Sequence, residues 1–317
     1  MSKPKVLIYE PIHQKGLDYL SEYADIIWAS GYDEDTISLE AVEAEGIIIR
    51  ANGAVTAKIM DSAPYLKVIG RHGVGVDNID VEAATKRGIY VVNTPGVNTE
   101  AVAEHAVGMM LALSKKIVES DRAMRNGNWN FRYESYGIEM QGSNLGIVGM
   151  GKIGYRVADI CHAAFNMNIF YCDELANQKG ETELSARKAV LSELLSISDY
   201  VSLHLPALPS TFQMINSENI GLMKGTAFLI NTSRGTVIDN NALYNALKNS
   251  DIAGAALDVF EKEPLPDNSP LLSLANLILT PHNAAHTEQA MIGMAMVVKD
   301  IVSVIKGEMP KYPVNSL

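Results

Sequence analysis

The chain has 317 residues, 47% of them apolar and 20% charged, which is more than one hydrophobic core usually serves; two globular domains are expected, and extensive disorder is not. A formal charge of −11 argues against nucleic acid as a partner, because phosphate backbones need a basic face. A local group of arginines can still receive a small anion.

Residues 5–9 of the opening MSKPKVLIYEP form an apolar run that stops at Glu10, so they read as a first strand and not as a signal peptide. Further strands are expected at 26–28, 46–49, 68–71 and 90–92, with helices such as 14–23 and 81–86 between them, which makes one small doubly wound unit. After Thr94-Pro95-Gly96, a capping pair at Asn98-Thr99 and an acid at Glu100 open a long helix over about 100–121. Its Ala, Val, Gly and Met residues cover more than one stripe, as in a helix buried on several sides. The aromatic segment 126–136 reads either as an arm packing on another subunit or as a well-packed surface loop. A second α/β unit follows, with strands at 145–149, 168–172, 200–203, 226–231, 254–259 and 277–280 and a short one at 188–190. A final helix over 292–305 has to cross back onto the first unit. The expected class is α/β with two doubly wound parallel sheets. No run approaches the roughly 18 apolar residues of a membrane span. Cys161 and Cys172 stand outside any CxxC or metal-ligand spacing, so no metal is expected and both read as unpaired thiols in a reducing cytoplasm.

The strongest single motif is Gly149-Met150-Gly151-Lys152-Ile153-Gly154. It follows the apolar strand and opens a helical pattern, the context in which GxGxxG binds a dinucleotide. Gly149 permits the tight turn, Gly151 lets the backbone approach a pyrophosphate, and Gly154 allows close helix–strand packing. Amides at the helix start, at Lys152 and Ile153, favour the phosphates. Asp173 ends the next strand 19 residues beyond Gly154, where a carboxylate accepts from both ribose hydroxyls and repels the extra phosphate of NADP. NAD is the expected cofactor.

Arg234, Glu263 and His282 lie just past the ends of three late strands, where an open parallel sheet lines its ligand crevice. Interconverting an alcohol and a ketone with NAD moves a hydride and a proton separately. An imidazole handles the proton, a carboxylate on its other nitrogen fixes the tautomer, and a guanidinium grips a substrate carboxylate at two points.

Asn93-Thr94-Pro95-Gly96, residues 149–154 with Asp173, His204-Leu205-Pro206, 231–235, 254–263 and Pro281-His282 together resemble the D-isomer-specific 2-hydroxyacid dehydrogenase family, in the right order over nearly the whole chain. The resemblance implies a Rossmann cofactor domain, 98–285, inserted in a flavodoxin-like substrate (lid) domain of 1–97 plus 286–317. The crossings at 96–98 and 284–286 would then serve as a hinge, and the long helix and arm as the centre of a homodimer. It also implies Arg234, Glu263 and His282 as the catalytic three and Asp258 as the partner of the nicotinamide amide. His204, Pro206, Thr232 and Ser233 would line the cofactor.

Residues 49–56 and 68–80 resemble the D-3-phosphoglycerate dehydrogenase branch. Gly73 and Gly75 flank Val74 in a nest of bare amides suited to a carboxylate, so Val74 and Gly75 are expected at the substrate. Arg50 and Arg71 are expected at its phosphate, with Arg132 a third candidate; the alternative for the first two is ordinary ion pairing. Ala51 stands where the branch has a small hydroxyl residue, a Thr or Ser is usual near Gly53, and Asn283-Ala284-Ala285-His286-Thr287 replaces a Leu/Ile-Gly-Ala-Ser/Gly-Thr pattern. The expected pair is therefore 3-phosphoglycerate and phosphohydroxypyruvate, with hydroxypyruvate or glyoxylate as the alternative. A reading of another class is an NADH-sensing protein like the C-terminal binding protein corepressors, against which the lack of disordered tails stands. The chain stops at Leu317, so the regulatory domain of longer members, and serine feedback through it, are not expected.

Overall fold

A computed structural model describes residues 3–317. The chain divides into two compact units, one formed by residues up to Asn98 with His286–Leu317 and the other by Thr99–Ala285.

The first unit holds β1 (Lys5–Ile8), β2 (Asp25–Trp28), β3 (Ala44–Ile49), β4 (Val68–Arg71) and β5 (Tyr90–Val92) in a parallel sheet of order β2-β1-β3-β4-β5. That is the flavodoxin-like order. The run Gly46-Ile47-Ile48-Ile49 is apolar without alternation because both of its faces are covered. Ile47 and Ile49 pack with Ile37, Ile59 and Ile69 on one side, while Ile48 packs with Leu20, Val298 and Ile301 on the other. The last helix, Val298–Ile305, reaches the sheet over Gly70, where a Cβ would lie 2.8 Å from Ile301 Cδ1. The tail then runs beside β5, where the Val91 N–H donates to Asn315 Oδ1 (2.8 Å) and the Val314 N–H to Val91 O (2.7 Å).

The second unit holds β6 (Asn144–Val148), β7 (Asn168–Cys172), β8 (Arg187–Lys188), β9 (Tyr200–Leu203), β10 (Phe228–Asn231), β11 (Gly254–Leu257) and β12 (Leu277–Leu279), all parallel, in the order β12-β11-β10-β9-β6-β7-β8. The chain runs outward from β6 to β8 and then restarts on the other side at β9. The β6/β9 boundary is thus the switch point at which such sheets bind ligands.

Two expected helices prove broken. The long one divides into Thr99–Ser114 and Ile117–Arg125 because Lys116 takes a left-handed conformation, φ 53°. There the Ser114 carbonyl turns to accept from the Ile138 N–H (2.8 Å), and the Ser114 hydroxyl meets Tyr200 Oη (2.8 Å). The last helix divides into Glu288–Ala295 and Val298–Ile305, with hydrogen bonds tightened to three-residue spacing at Met296 and Val297. Among the described residues no helix is long and apolar enough to cross a membrane, and no group of His, Cys, Asp and Glu could hold a metal ion. Cys161 is buried, which pushes its thiol up to about 12.

Candidate active site

The glycine motif lies at the switch point. β6 ends at Val148, Gly149 turns with φ 94°, and the helix Lys152–Phe165 begins with Gly151 at its N-cap. Only glycine fits at 154, where a Cβ would lie 2.1 Å from the Gly149 carbonyl oxygen. The turn is pinned from both sides. The Met150 N–H donates to Asp173 Oδ2 (2.7 Å), and Asn177 Nδ2 donates to Met150 O (2.7 Å). No side chain caps the helix, and a Cβ at Gly151 would meet nothing within 4 Å. Free amides, a positive helix end and room for close approach fit a dinucleotide pyrophosphate. Lys152 is exposed and Ile153 half-buried beside it.

Other predicted cofactor residues follow β9 and β10. His204 Nε2 lies 2.9 Å from Ser202 Oγ, and burial pushes its imidazole down to about 3, so the ring is neutral. Pro206 is exposed. Thr232 is buried with its hydroxyl unpartnered, a polar atom open to a ligand. Ser233 instead gives its hydroxyl to Asn231 Oδ1 (2.8 Å), which also accepts the Ser233 N–H (2.9 Å), while Asn231 Nδ2 donates to Arg234 O (2.9 Å). Asn231, not singled out from the sequence, templates this loop; a fully buried amide at a strand end was its one signal.

Arg234, Glu263 and His282 come together within this unit. His282 Nδ1 lies 2.6 Å from Glu263 Oε2, and Glu263 Oε1 accepts the Phe260 N–H (2.9 Å). Burial opposes the charge on Glu263. The bonds from His282 and Phe260, with the charges of His282 and Arg234, outweigh it and hold the carboxyl below the usual range. An ionised carboxylate only accepts, so the shared proton belongs to His282 Nδ1 and Nε2 is the nitrogen left for chemistry. The loops interlock at Gly235, where a Cβ would fall 1.8 Å from the Phe260 carbonyl carbon.

Asp258 lies in the buried interior of this unit. Its side chain is 1% exposed and accepts from Thr280 Oγ1 (2.6 Å), the Asn283 N–H (2.9 Å) and the Ala284 N–H (2.9 Å). It anchors the backbone that follows His282, itself at φ 48°, and its three donors leave one of a carboxylate's roughly four acceptor positions. Thr280 spends its single proton on Asp258, so His105 Nε2–H donates to Thr280 Oγ1 (3.1 Å). His105, a lone histidine on an apolar helix, gave no sequence signal.

The predicted substrate residues of the first unit divide. Arg71 Nε donates to Gly75 O (2.7 Å) and Nη1 to His72 O, so two of its donors brace its own loop. Val74 is exposed, and its carbonyl accepts from Asn93 Nδ2 (2.7 Å). Arg50 is different: Nη1 donates to Pro11 O (3.2 Å), Nη2 lies 2.8 Å from His286 Nε2, and no carboxylate among the described residues pairs with it. Arg132, in the second unit, stacks on Tyr133 at 4.9 Å.

The family model for the D-isomer specific 2-hydroxyacid dehydrogenase NAD binding domain matches residues 107–284. A glyoxylate reductase of Korarchaeum cryptofilum is 40% identical over 99% of this chain and 96% of its own. A D-3-phosphoglycerate dehydrogenase of Archaeoglobus fulgidus is 38% identical over 98% of this chain, which spans 59% of that longer protein. Among solved structures, the TT0316 protein of Thermus thermophilus superposes with a TM-score of 0.90 at 36% identity, over 98% of this chain and 100% of that one. The second unit is thus an NAD-binding domain, and the chain belongs to the D-isomer specific 2-hydroxyacid dehydrogenase family.

Proposed function

We propose that the protein interconverts a small D-2-hydroxy acid and its 2-oxo acid with NAD, and that 3-phosphoglycerate and phosphohydroxypyruvate are its leading pair. The observation that carries the reaction is the 2.6 Å contact of His282 with Glu263, beside the charge of Arg234. Bound NAD supplies or accepts the hydride. Lys152 and Ile153 amides hold its pyrophosphate, Asp173 its ribose, and His204, Pro206, Thr232 and Ser233 line it. Arg234 grips the substrate carboxylate and polarises the neighbouring carbonyl. His282 Nε2 gives its proton to the carbonyl oxygen during reduction and takes it back during oxidation, while Glu263 steadies the imidazolium.

The phosphate reading rests on Arg50, a guanidinium without a carboxylate. The inward turn of Arg71 and the similarity to glyoxylate reductases favour a second reading, reduction of hydroxypyruvate or glyoxylate. NADH oxidation measured with phosphohydroxypyruvate, hydroxypyruvate, glyoxylate, pyruvate and oxaloacetate separates the two. His282→Ala lowers turnover by roughly 10²–10⁴-fold while NADH still binds; full turnover in that variant refutes the assignment. NADH binding without turnover of any acid would instead support a dinucleotide sensor.

We further propose a homodimer through the arm. Ile117, Trp129, Tyr133 and Tyr136 are 53%, 62%, 66% and 80% exposed, an aromatic surface of the kind that marks interfaces.

A further inference from the structure

Asn177 belongs to no step above, yet it joins the segment carrying the ribose carboxylate to the glycine turn. We propose that Asn177 is a positioning residue for cofactor selection. It locks residues 173–177 onto the Met150 peptide, so that Asp173 stays where it meets the ribose and cannot turn aside for a 2′-phosphate. This rests on the assignment of Asp173 to the ribose and concerns the second unit alone.

One short segment takes the Met150 peptide from both ends. The Met150 N–H donates to Asp173 Oδ2 (2.7 Å), and the Met150 carbonyl accepts from Asn177 Nδ2 (2.7 Å). Between these anchors, Asp173 Oδ1 accepts the Leu175 N–H (3.2 Å) and the Glu174 carbonyl accepts from Lys188 Nζ (3.0 Å). Asn177 is itself fixed from behind. Its N–H donates to Oη of Tyr171 (3.0 Å), a buried residue of β7, and its Oδ1 accepts the Gly180 N–H (2.8 Å) as the cap of the helix Gln178–Glu183. The buried Met150 side chain closes the same contact, because a Cβ at Gly180 would lie 3.0 Å from Met150 Cε.

The cap alone does not require asparagine. Serine and threonine cap helices through one acceptor, whereas a carboxamide carries a donor on the same side chain. Here that donor goes to the turn. The consequence for selection is preorganisation. Each Asp173 oxygen has one protein donor, which leaves each a lone pair for a ribose hydroxyl. NADH therefore meets a carboxylate already aimed, with no segment to order on binding. NADPH meets the same charge, and a locked segment gives that charge no way to withdraw.

The test measures Kd for NADH and NADPH by fluorescence titration of the full-length protein. Asn177→Ser keeps the cap and is too short to reach Met150 O, so its urea midpoint stays near that of the parent. NADH binding weakens about tenfold while NADPH binding changes by less than about threefold, which shifts the ratio toward NADPH. Asn177→Thr, a second cap without the reach, gives the same shift. Asp173→Ser shifts the ratio as well, and the double variant with Asn177→Ser shifts it no further, because Asn177 acts on selection through Asp173. A merely structural role predicts equal losses for both cofactors. Equal losses, an unchanged Kd for NADH, or a double variant in which the two shifts multiply overturn the inference and leave Asp173 at the ribose. An unaltered ratio in Asp173→Ser removes Asp173 from that role and the inference with it.

Discussion

Replacing Gly235 by Ala tests the link between the two loops that carry the chemistry. The added Cβ would lie 1.8 Å from the Phe260 carbonyl carbon and 2.3 Å from the Glu261 nitrogen, both backbone atoms that cannot rotate away. Ordinary contact begins near 3.4 Å, so about 1.6 Å must come from moving one loop against the other. The Phe260 N–H holds Glu263 Oε1 at 2.9 Å, and Glu263 Oε2 holds His282 at 2.6 Å. A displacement of that size exceeds the spread of a working hydrogen bond, and the arginine next to Gly235 moves with it. Misplacement by about 1 Å costs on the order of 100-fold in rate. We expect kcat for 2-oxo acid reduction to fall about 100-fold. NADH affinity, read by fluorescence titration, falls by less than kcat, because the glycine motif is on other strands and only Thr232 and Ser233 of the cofactor residues move with the loop. Circular dichroism establishes that the variant is folded. A kcat within about threefold of the parent would mean that the loops do not set the Glu263–His282 geometry, and the reasoning would fail.

Glu263→Gln removes the carboxylate that orients His282, and kcat should fall about tenfold to 100-fold with KM for NADH little changed. The same variant reports linkage. The Glu263 carboxyl is held below its ordinary range, so its contribution to stability is present above its unfolded value and lost as pH falls through its folded value. Urea midpoints of parent and variant should converge in acid and separate toward neutrality; a constant difference at every pH would contradict the shift. Asp173→Ser should raise kcat/KM with NADPH relative to NADH by about tenfold or more, because a repelled 2′-phosphate is then admitted; an unaltered cofactor ratio would remove Asp173 from that role. Ile117→Glu with Trp129→Ala should shift sedimentation from dimer to monomer, and a parent that sediments as a monomer would end the interface proposal.

Both sheets were legible in the sequence for one reason: strands covered on both faces carry unbroken apolar runs, as in 46–49 and 145–148, bounded by glycine, proline and polar residues. The glycine motif was legible because its spacing carries its own stereochemistry. Breaks in helices were not. Lys116 bears no mark of a left-handed residue, and its conformation follows from Ile138 and Tyr200 taking hold of Ser114, partners supplied only by the fold. Likewise, His286 lies four residues past His282 and looks like a loop residue until Arg50, 236 positions away, is brought to its ring.

Glu263 and Asp258 show where reading by residue type stops. Both are carboxylates on the segment leaving β11, and by type and place both are candidates for ligand chemistry. Glu263 has a side chain 37% exposed and gives one oxygen to an imidazole that is itself half open to solvent. Asp258 is 1% exposed and surrounded by three donors, two of them amides 25 and 26 residues downstream. A carboxylate cannot be buried without such donors, so enclosure ties Asp258 to the backbone around His282, and exposure leaves Glu263 open to pair with an imidazole. Arg71 and Arg50 divide in the same way: one guanidinium is turned onto carbonyls of its own loop, the other is left without a counter-charge. What separates the group that acts from the group that supports is how its hydrogen-bonding capacity is already occupied, and the partners that occupy it are brought close only by the fold.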